Sequence, residues 1–215
     1  SVSHSRESSD TSVSTFTDLG VASYQNVERL DTHHPRPVII LGPLADVVSK
    51  KLANGAPYKF TLCHNQPVSA SEMEIKKAVT DGVYLDYVVK DGQFYVTFMS
   101  TVREDMDKVK HSILEVSPLA IEKLRSQRIY PIVLFLKYKS AKHIKEQRDA
   151  KHLQQKVSTK DARAMHENSL KMEHEFRSEF TAVIPGSSIN ALFSQIQDIV
   201  DEQQKKTLWI PVTSN

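Results

Sequence analysis

Cysteine is almost missing from this chain: Cys63 is the only one in 215 residues. A single thiol excludes an internal disulfide and a cysteine-built zinc site, and it suits a reducing compartment. Long hydrophobic runs are missing as well, and no charged-then-apolar segment opens the chain. A soluble, cytoplasmic protein, or a piece of one, is therefore expected. Nor is there an excess of one charge. Lys+Arg 28 against Asp+Glu 26 is nearly balanced, and the charges are interspersed, so no basic stripe points to nucleic acid. The histidines His33, His34, His143, His152, His166 and His174 show no ligand spacing with carboxylates, and the position one helical turn after His166 is Leu170. No metal site and no cofactor are expected. No internal repeat is visible, so one main domain is expected.

What the chain does contain is organised around Arg36-Pro37-Val38-Ile39-Ile40-Leu41-Gly42-Pro43-Leu44-Ala45-Asp46-Val47-Val48-Ser49. Four apolar residues running into Gly-Pro and then a helical pattern read as a buried parallel strand, a tight turn and a helix start. That is the frame of a phosphate-binding loop, G-x-x-x-x-G-K-[ST], in which glycines let backbone N–H groups close around phosphate and the lysine and hydroxyl reach the outer phosphate and Mg²⁺. Gly42 and Ser49 keep their places in the pattern. Val47 stands at the second glycine and Val48 at the lysine. A β-branched residue closes off positive φ, and an alkyl group removes the cation, so the frame is kept without its chemistry.

The rest of the chain alternates strands and helices. Residues 1–23, crowded with Ser and Thr, read as a disordered linker that cannot bury enough surface to offset its ordering entropy. Residues 24–30 and 207–212 read as end strands that can pair, since domain termini are often close. Residues 44–52 put Leu44, Val47, Val48 and Leu52 on one helical face. Ser71-Glu72-Met73-Glu74 offers a capping box, and Val83 to Val89 and Phe94 to Phe98 form a hairpin around Lys90-Asp91-Gly92. Thr101-x-x-Glu104 is read as a second cap. His111 to Val116 is a short buried strand, Ser117-Pro118 the N-cap and first residue of a helix, and Tyr130 to Leu136 another parallel strand. A long helix is expected over residues 159–180, a strand over 181–184, and a last amphipathic helix through Ile189, Leu192, Ile196 and Val200. The fold class is α/β, a parallel sheet with helices on both faces.

The strand-Gly-Pro start, Ile113-Leu114-Glu115-Val116-Ser117-Pro118, Tyr130-Pro131-Ile132-Val133-Leu134-Phe135 and the closing Leu208-Trp209-Ile210-Pro211 together resemble the guanylate-kinase-like domain of membrane-associated guanylate kinase scaffolds. The stretch Tyr138 to Asp149 narrows the resemblance to one branch of that family. The resemblance implies a kinase-like domain over residues 36–205 with a reduced nucleotide-monophosphate sub-domain. It also implies that residues 24–30 and 207–212 are two strands of a split Src-homology 3 domain, the rest of which is not in this chain, so that an unfilled sheet edge is expected through which the fragment can dimerise. Protein partners of a junctional or polarity complex, and a peripheral place at the plasma membrane or cell junctions, are implied in turn.

Guanylate kinases hold the GMP phosphate with a Thr-Thr-Arg-x-x-Arg stretch, yet the stretch between Cys63 and Tyr84 is short and contains no arginine. Guanidinium contacts supply roughly 1.5–3 kcal/mol for each charged hydrogen bond, so GMP is not expected to bind usefully. The resemblance places Asp86 at the base-reading carboxylate, Tyr95 at the phosphate-contacting tyrosine, Thr97 at the base-contacting hydroxyl and Ser117 at a second base-contacting acid. Strand alternation puts Phe94, Val96 and Phe98 on one face of their strand, with Tyr95 and Thr97 on the other. A protein-binding groove is expected with Tyr87 and Tyr95 as anchors and Asp86 and Arg103 at the rim. A basic segment with Lys142, Lys145 and Arg148, in the place of the kinase lid, is the alternative surface. Three functions follow: a catalytically inactive interaction module, an active nucleoside-monophosphate kinase with an unusual loop, or a phosphopeptide-binding module.

Overall fold

A computed structural model describes residues 26–148 and 156–212. The linker read over residues 1–23, the first two residues of the strand read over 24–30, and His152 lie outside the described residues. In order the elements are β1 (Val27–Leu30), β2 (Val38–Leu41), α1 (Ala45–Gly55), β3 (Phe60–Cys63), β4 (Gln66–Val68), α2 (Glu72–Thr80), β5 (Tyr84–Lys90) and β6 (Gln93–Phe98). They continue with α3 (Met99–Met106), β7 (His111–Leu114), α4 (Ala120–Ser126), β8 (Ile132–Lys137), α5 (Ala141–Arg148), α6 (Thr159–Phe176), β9 (Ala182–Pro185), α7 (Ile189–Lys205) and β10 (Leu208–Pro211). Two units result, one holding both chain ends and the other residues 31–207. In the first, β1 and β10 pair antiparallel, from Val27 opposite Pro211 to Leu30 opposite Leu208.

In the larger unit a five-stranded sheet runs in the order β3-β7-β2-β8-β9, every pairing parallel. Its central strands are buried on both faces, which explains their unbroken apolar sequences. The pleat sends alternate residues to opposite sides. Val38 and Ile40 of β2, with Ile132, Leu134 and Leu136 of β8, join one core completed by Val48 and Leu52 of α1 and by Leu192, Ile196 and Val200 of α7. Ile39 and Leu41, with Val133 and Phe135, join the other, completed by Met99 and Val102 of α3 and by Ile121 and Leu124 of α4. A smaller antiparallel sheet, β4-β6-β5, makes up the sub-domain.

Several boundaries differ from the sequence reading, each for a local reason. α3 begins at Met99, so Thr101 and Glu104 lie inside it and cap nothing. Its first amide is satisfied by the carbonyl of Val83 at 3.0 Å, which makes a side-chain cap unnecessary. Ser117-Pro118 is not the start of α4: it forms tight turns, with the amide of Ala120 donating to Ser117 at 3.0 Å and that of Ile121 to Pro118 at 3.1 Å. The helix expected over residues 159–180 ends at Phe176 and is followed by a 3₁₀ turn. Strands β3 and β4 have no counterpart in the sequence reading. Only Phe60 and Cys63 of β3 are buried, and β4 is a three-residue edge strand carrying Pro67, which edge positions tolerate. The capping box at Ser71 and Glu74 is formed reciprocally, as expected.

His111, on the first position of β7, is buried beside the Phe60 ring, and its Nδ1 donates to the carbonyl of Arg36 at 2.8 Å. Burial first, then the nearby Lys59 and Arg36 cations, hold its pKa below the ordinary 6.5, against the opposing pull of the Arg36 carbonyl and Asp201. In the unfolded chain the imidazole protonates more readily than in the folded one. Stability contributed by neutral His111 is therefore present above the ordinary value and lost as pH falls below about 6.5. The melting temperature is expected to drop between pH 7.5 and 5.5, and to drop less in His111→Asn, whose amide can still donate to Arg36. Parallel pH profiles of the two proteins would remove this role from His111.

Candidate functional site

The turn after β2 sets the site. Gly42 adopts φ 99°, and a Cβ there would lie 2.5 Å from the Leu136 carbonyl oxygen, so the chain crosses β8 too closely for any side chain. Leu44 follows at φ 64°, its side chain 3 % exposed and packed in the core. α1 then begins at Ala45. Of its two substituted loop positions, Val47 is half-buried and Val48 has no exposed surface at all. Val48 belongs to the same core as Val38, Ile40 and Leu52. Ser49 is also buried, at 4 % exposure, but it lines a groove. Its hydroxyl has no hydrogen-bond partner among the described residues.

That groove, of about 560 Å³, opens at the carboxyl ends of β2 and β7, where open parallel sheets bind ligands. α1 supplies Asp46, Ser49 and Lys50, β5 supplies Asp86, Tyr87, Val88 and Lys90, and β6 supplies Thr97. Asn65 and the Leu114–Ser117 segment complete it. Asp86 is fixed from two sides: the amide of Ser117 donates to Oδ2 at 2.7 Å and that of Tyr87 to Oδ1 at 2.9 Å. Thr97 is buried and donates its hydroxyl to Asn65 Oδ1 at 2.6 Å. Glu115 is half-buried and has neither an ion pair nor a hydrogen bond among the described residues. Lys50 and Lys90 are exposed, Lys90 lying 5.7 Å above the Tyr95 ring.

The sequence-read candidates divide. Asp86, Thr97, Tyr87 and Ser49 meet at the groove. Register places Tyr87 opposite Val96, and its ring lies 6.1 Å from that of Phe94, whereas Asp86 pairs with Thr97 and Val88 with Tyr95. The side chains of Tyr87 and Tyr95 therefore lie on opposite faces of the small sheet and cannot anchor one peptide together. Arg103 is on α3, where its guanidinium donates to Gln127, and it does not line the groove. In the basic segment Lys142 is exposed beside Glu146, Lys145 reaches Thr159 at 3.4 Å, and Arg148 ties α5 to Asp46 of α1 at 3.3 Å. Glu115 was not singled out from the sequence; its signal was a carboxylate one residue past a buried strand.

Residues 34–203 match the guanylate kinase family. The chain belongs to that family. It is 42% identical over 203 residues to disks large homolog 5 of Homo sapiens, a match covering 94% of this chain and 11% of that protein. It is 30% identical over 206 residues to disks large 1 tumor suppressor protein of Drosophila melanogaster, covering 89% of this chain and 21% of that one. The chain thus spans about a tenth to a fifth of the length of these relatives. Among solved structures, the SH3-kinase fragment of tight junction protein 3 superposes with a TM-score of 0.64 at 26% identity, over 87% of this chain and 65% of that one. Guanylate kinase from Anaplasma phagocytophilum, at 14% identity and a TM-score of 0.54, covers 81% of this chain and 89% of its own and shares the fold. Residues 34–203 thus form a guanylate-kinase-like domain.

In this guanylate-kinase-like domain, Asp86 clamps the hairpin to the turn before α4. Asp86→Ala is expected to speed amide hydrogen exchange at Ser117 and to cost about 1.5–3 kcal/mol of stability, the usual net worth of a hydrogen bond to a charged group. Exchange at Glu74, held by the separate Ser71 cap, should not change. An unaltered Ser117 amide would mean that the clamp is not made.

Proposed function

We propose that the chain is a catalytically silent protein-interaction module of a scaffold acting at cell junctions or polarity complexes, on the cytoplasmic side of the membrane. The observation that carries this reading is Val48. At the position where a phosphate-binding loop presents its lysine, the side chain is wholly buried and built into the core between sheet and helix. Phosphoryl transfer depends almost entirely on positioning and charge stabilisation, so losing that cation removes a main support. No arginine lines the groove among the described residues, which weighs against both an active nucleoside-monophosphate kinase and a phosphopeptide reader. Likeness to disks large proteins and to a tight junction protein supports the scaffold role.

The paired β1 and β10 fit the same reading as two strands of a split Src-homology 3 domain completed by sequence outside this chain. Val27 and Trp209 on this pair are 53% and 66% exposed, the kind of apolar surface that further strands would cover.

Calorimetric titration tests the central point. ATP–Mg²⁺ and GMP are each expected to give no saturable heat up to about 1 mM ligand, the range in which binding free energy falls to about 4 kcal/mol. Sub-millimolar affinity for either, or any turnover, would overturn the reading.

A further inference from the structure

The groove is lined by three carboxylates, those of Asp46, Asp86 and Glu115, by the Ser49 hydroxyl and by no guanidinium. Asp86 and Glu115 are half-buried, while the lysines that line the groove, Lys50 and Lys90, are exposed at its rim. Asp46, the third acid, is already paired with Arg148. The inner wall is dominated by acceptors. Each Asp86 oxygen takes one amide and has a lone pair to spare. Glu115 has no partner among the described residues, and the Thr97 hydroxyl gives its proton to Asn65 and can still accept. Ser49, 4 % exposed as a residue and with no protein partner for its hydroxyl, lines the same wall and leaves that hydroxyl open to a ligand or solvent.

Resting on the interaction-module reading, we propose that this groove takes an arginine side chain from a partner protein segment. A wall of acceptors repels an anion and suits a ligand that only donates. Guanidinium is such a ligand: planar, permanently charged, with five N–H donors and no acceptor, and more weakly hydrated than an ammonium group, so it tolerates a half-buried site better than lysine does. It engages carboxylates through two parallel bonds, which a point charge cannot do. The rim lysines favour acidic or neutral residues on either side of the arginine in the partner.

The test is a titration of the uniformly ¹⁵N-labelled full chain, followed by amide correlation spectra, with N-acetyl-arginine amide, N-acetyl-citrulline amide, O-phosphoserine amide and GMP. The arginine derivative is expected to shift the Tyr87 and Ser117 amides, which donate to Asp86, with a dissociation constant on the order of 1 mM. Citrulline, the neutral isostere, is expected to bind at least about tenfold more weakly. Glu115→Gln, which removes a charge that no described protein group uses, is expected to weaken arginine by a similar factor while leaving the fold intact. Equal shifts with citrulline, unchanged affinity in Glu115→Gln, or no saturable arginine response would overturn the proposal. Saturable binding of the phosphoserine derivative in place of arginine would also overturn it while leaving the interaction-module reading standing. Sub-millimolar GMP binding would remove both.

Discussion

Because β2 and β8 are buried on both faces, alternate residues of each are committed to different cores, and neither strand can slip by one residue without exchanging the two sets. Their register, Val38 opposite Ile132 through Leu41 opposite Phe135, then dictates where the chain leaves β2. It leaves beside the backbone of Leu136, close enough that only glycine passes. Gly42 is thus required for a steric reason that is independent of phosphate chemistry. The same constraint delivers α1 onto the sheet with Val48 and Leu52 inward and Ser49 toward the groove.

Beyond that turn, Val48 stands in the core at the position of the loop's lysine, and the polar groups on the inner wall of the groove are mostly hydrogen-bond acceptors. Asp86 links the small sheet to the turn before α4 through Ser117. Arg148 closes α5 onto α1 through Asp46. Both walls are therefore held by the protein's own charged groups, with no ligand needed to bring them together.

Much of this fold could be read from the residues alone, where the signal is local. The apolar runs of β2 and β8 report burial on both faces, the Ser71–Glu74 spacing reports a cap, and Asp91-Gly92 reports a hairpin turn whose two residues adopt positive φ, 49° and 73°. What escaped depends on distant partners. β3 exists because β7 offers it a ladder, and α3 starts early because the Val83 carbonyl takes its first amide. At the site, alternation along β6 was legible, but the face of Tyr87 was not. A register irregularity between Tyr84 and Asp86 sets it, and no residue type announces that shift. Glu115 and the free hydroxyl of Ser49 were hidden for the same reason, since their lack of partners is a property of the packed groove.

Whether the groove can take a nucleotide turns on Val48, which is part of the core and not a vacant cation site. Denaturant unfolding of Val48→Lys, with an ATP–Mg²⁺ titration of the same protein, asks this directly. Placing an unpaired ammonium between the sheet and α1 is expected to cost about 3 kcal/mol or more and to restore no nucleotide binding. A variant within about 0.5 kcal/mol of the parent, the range of an ordinary surface change, that also binds ATP below about 1 mM would contradict the account.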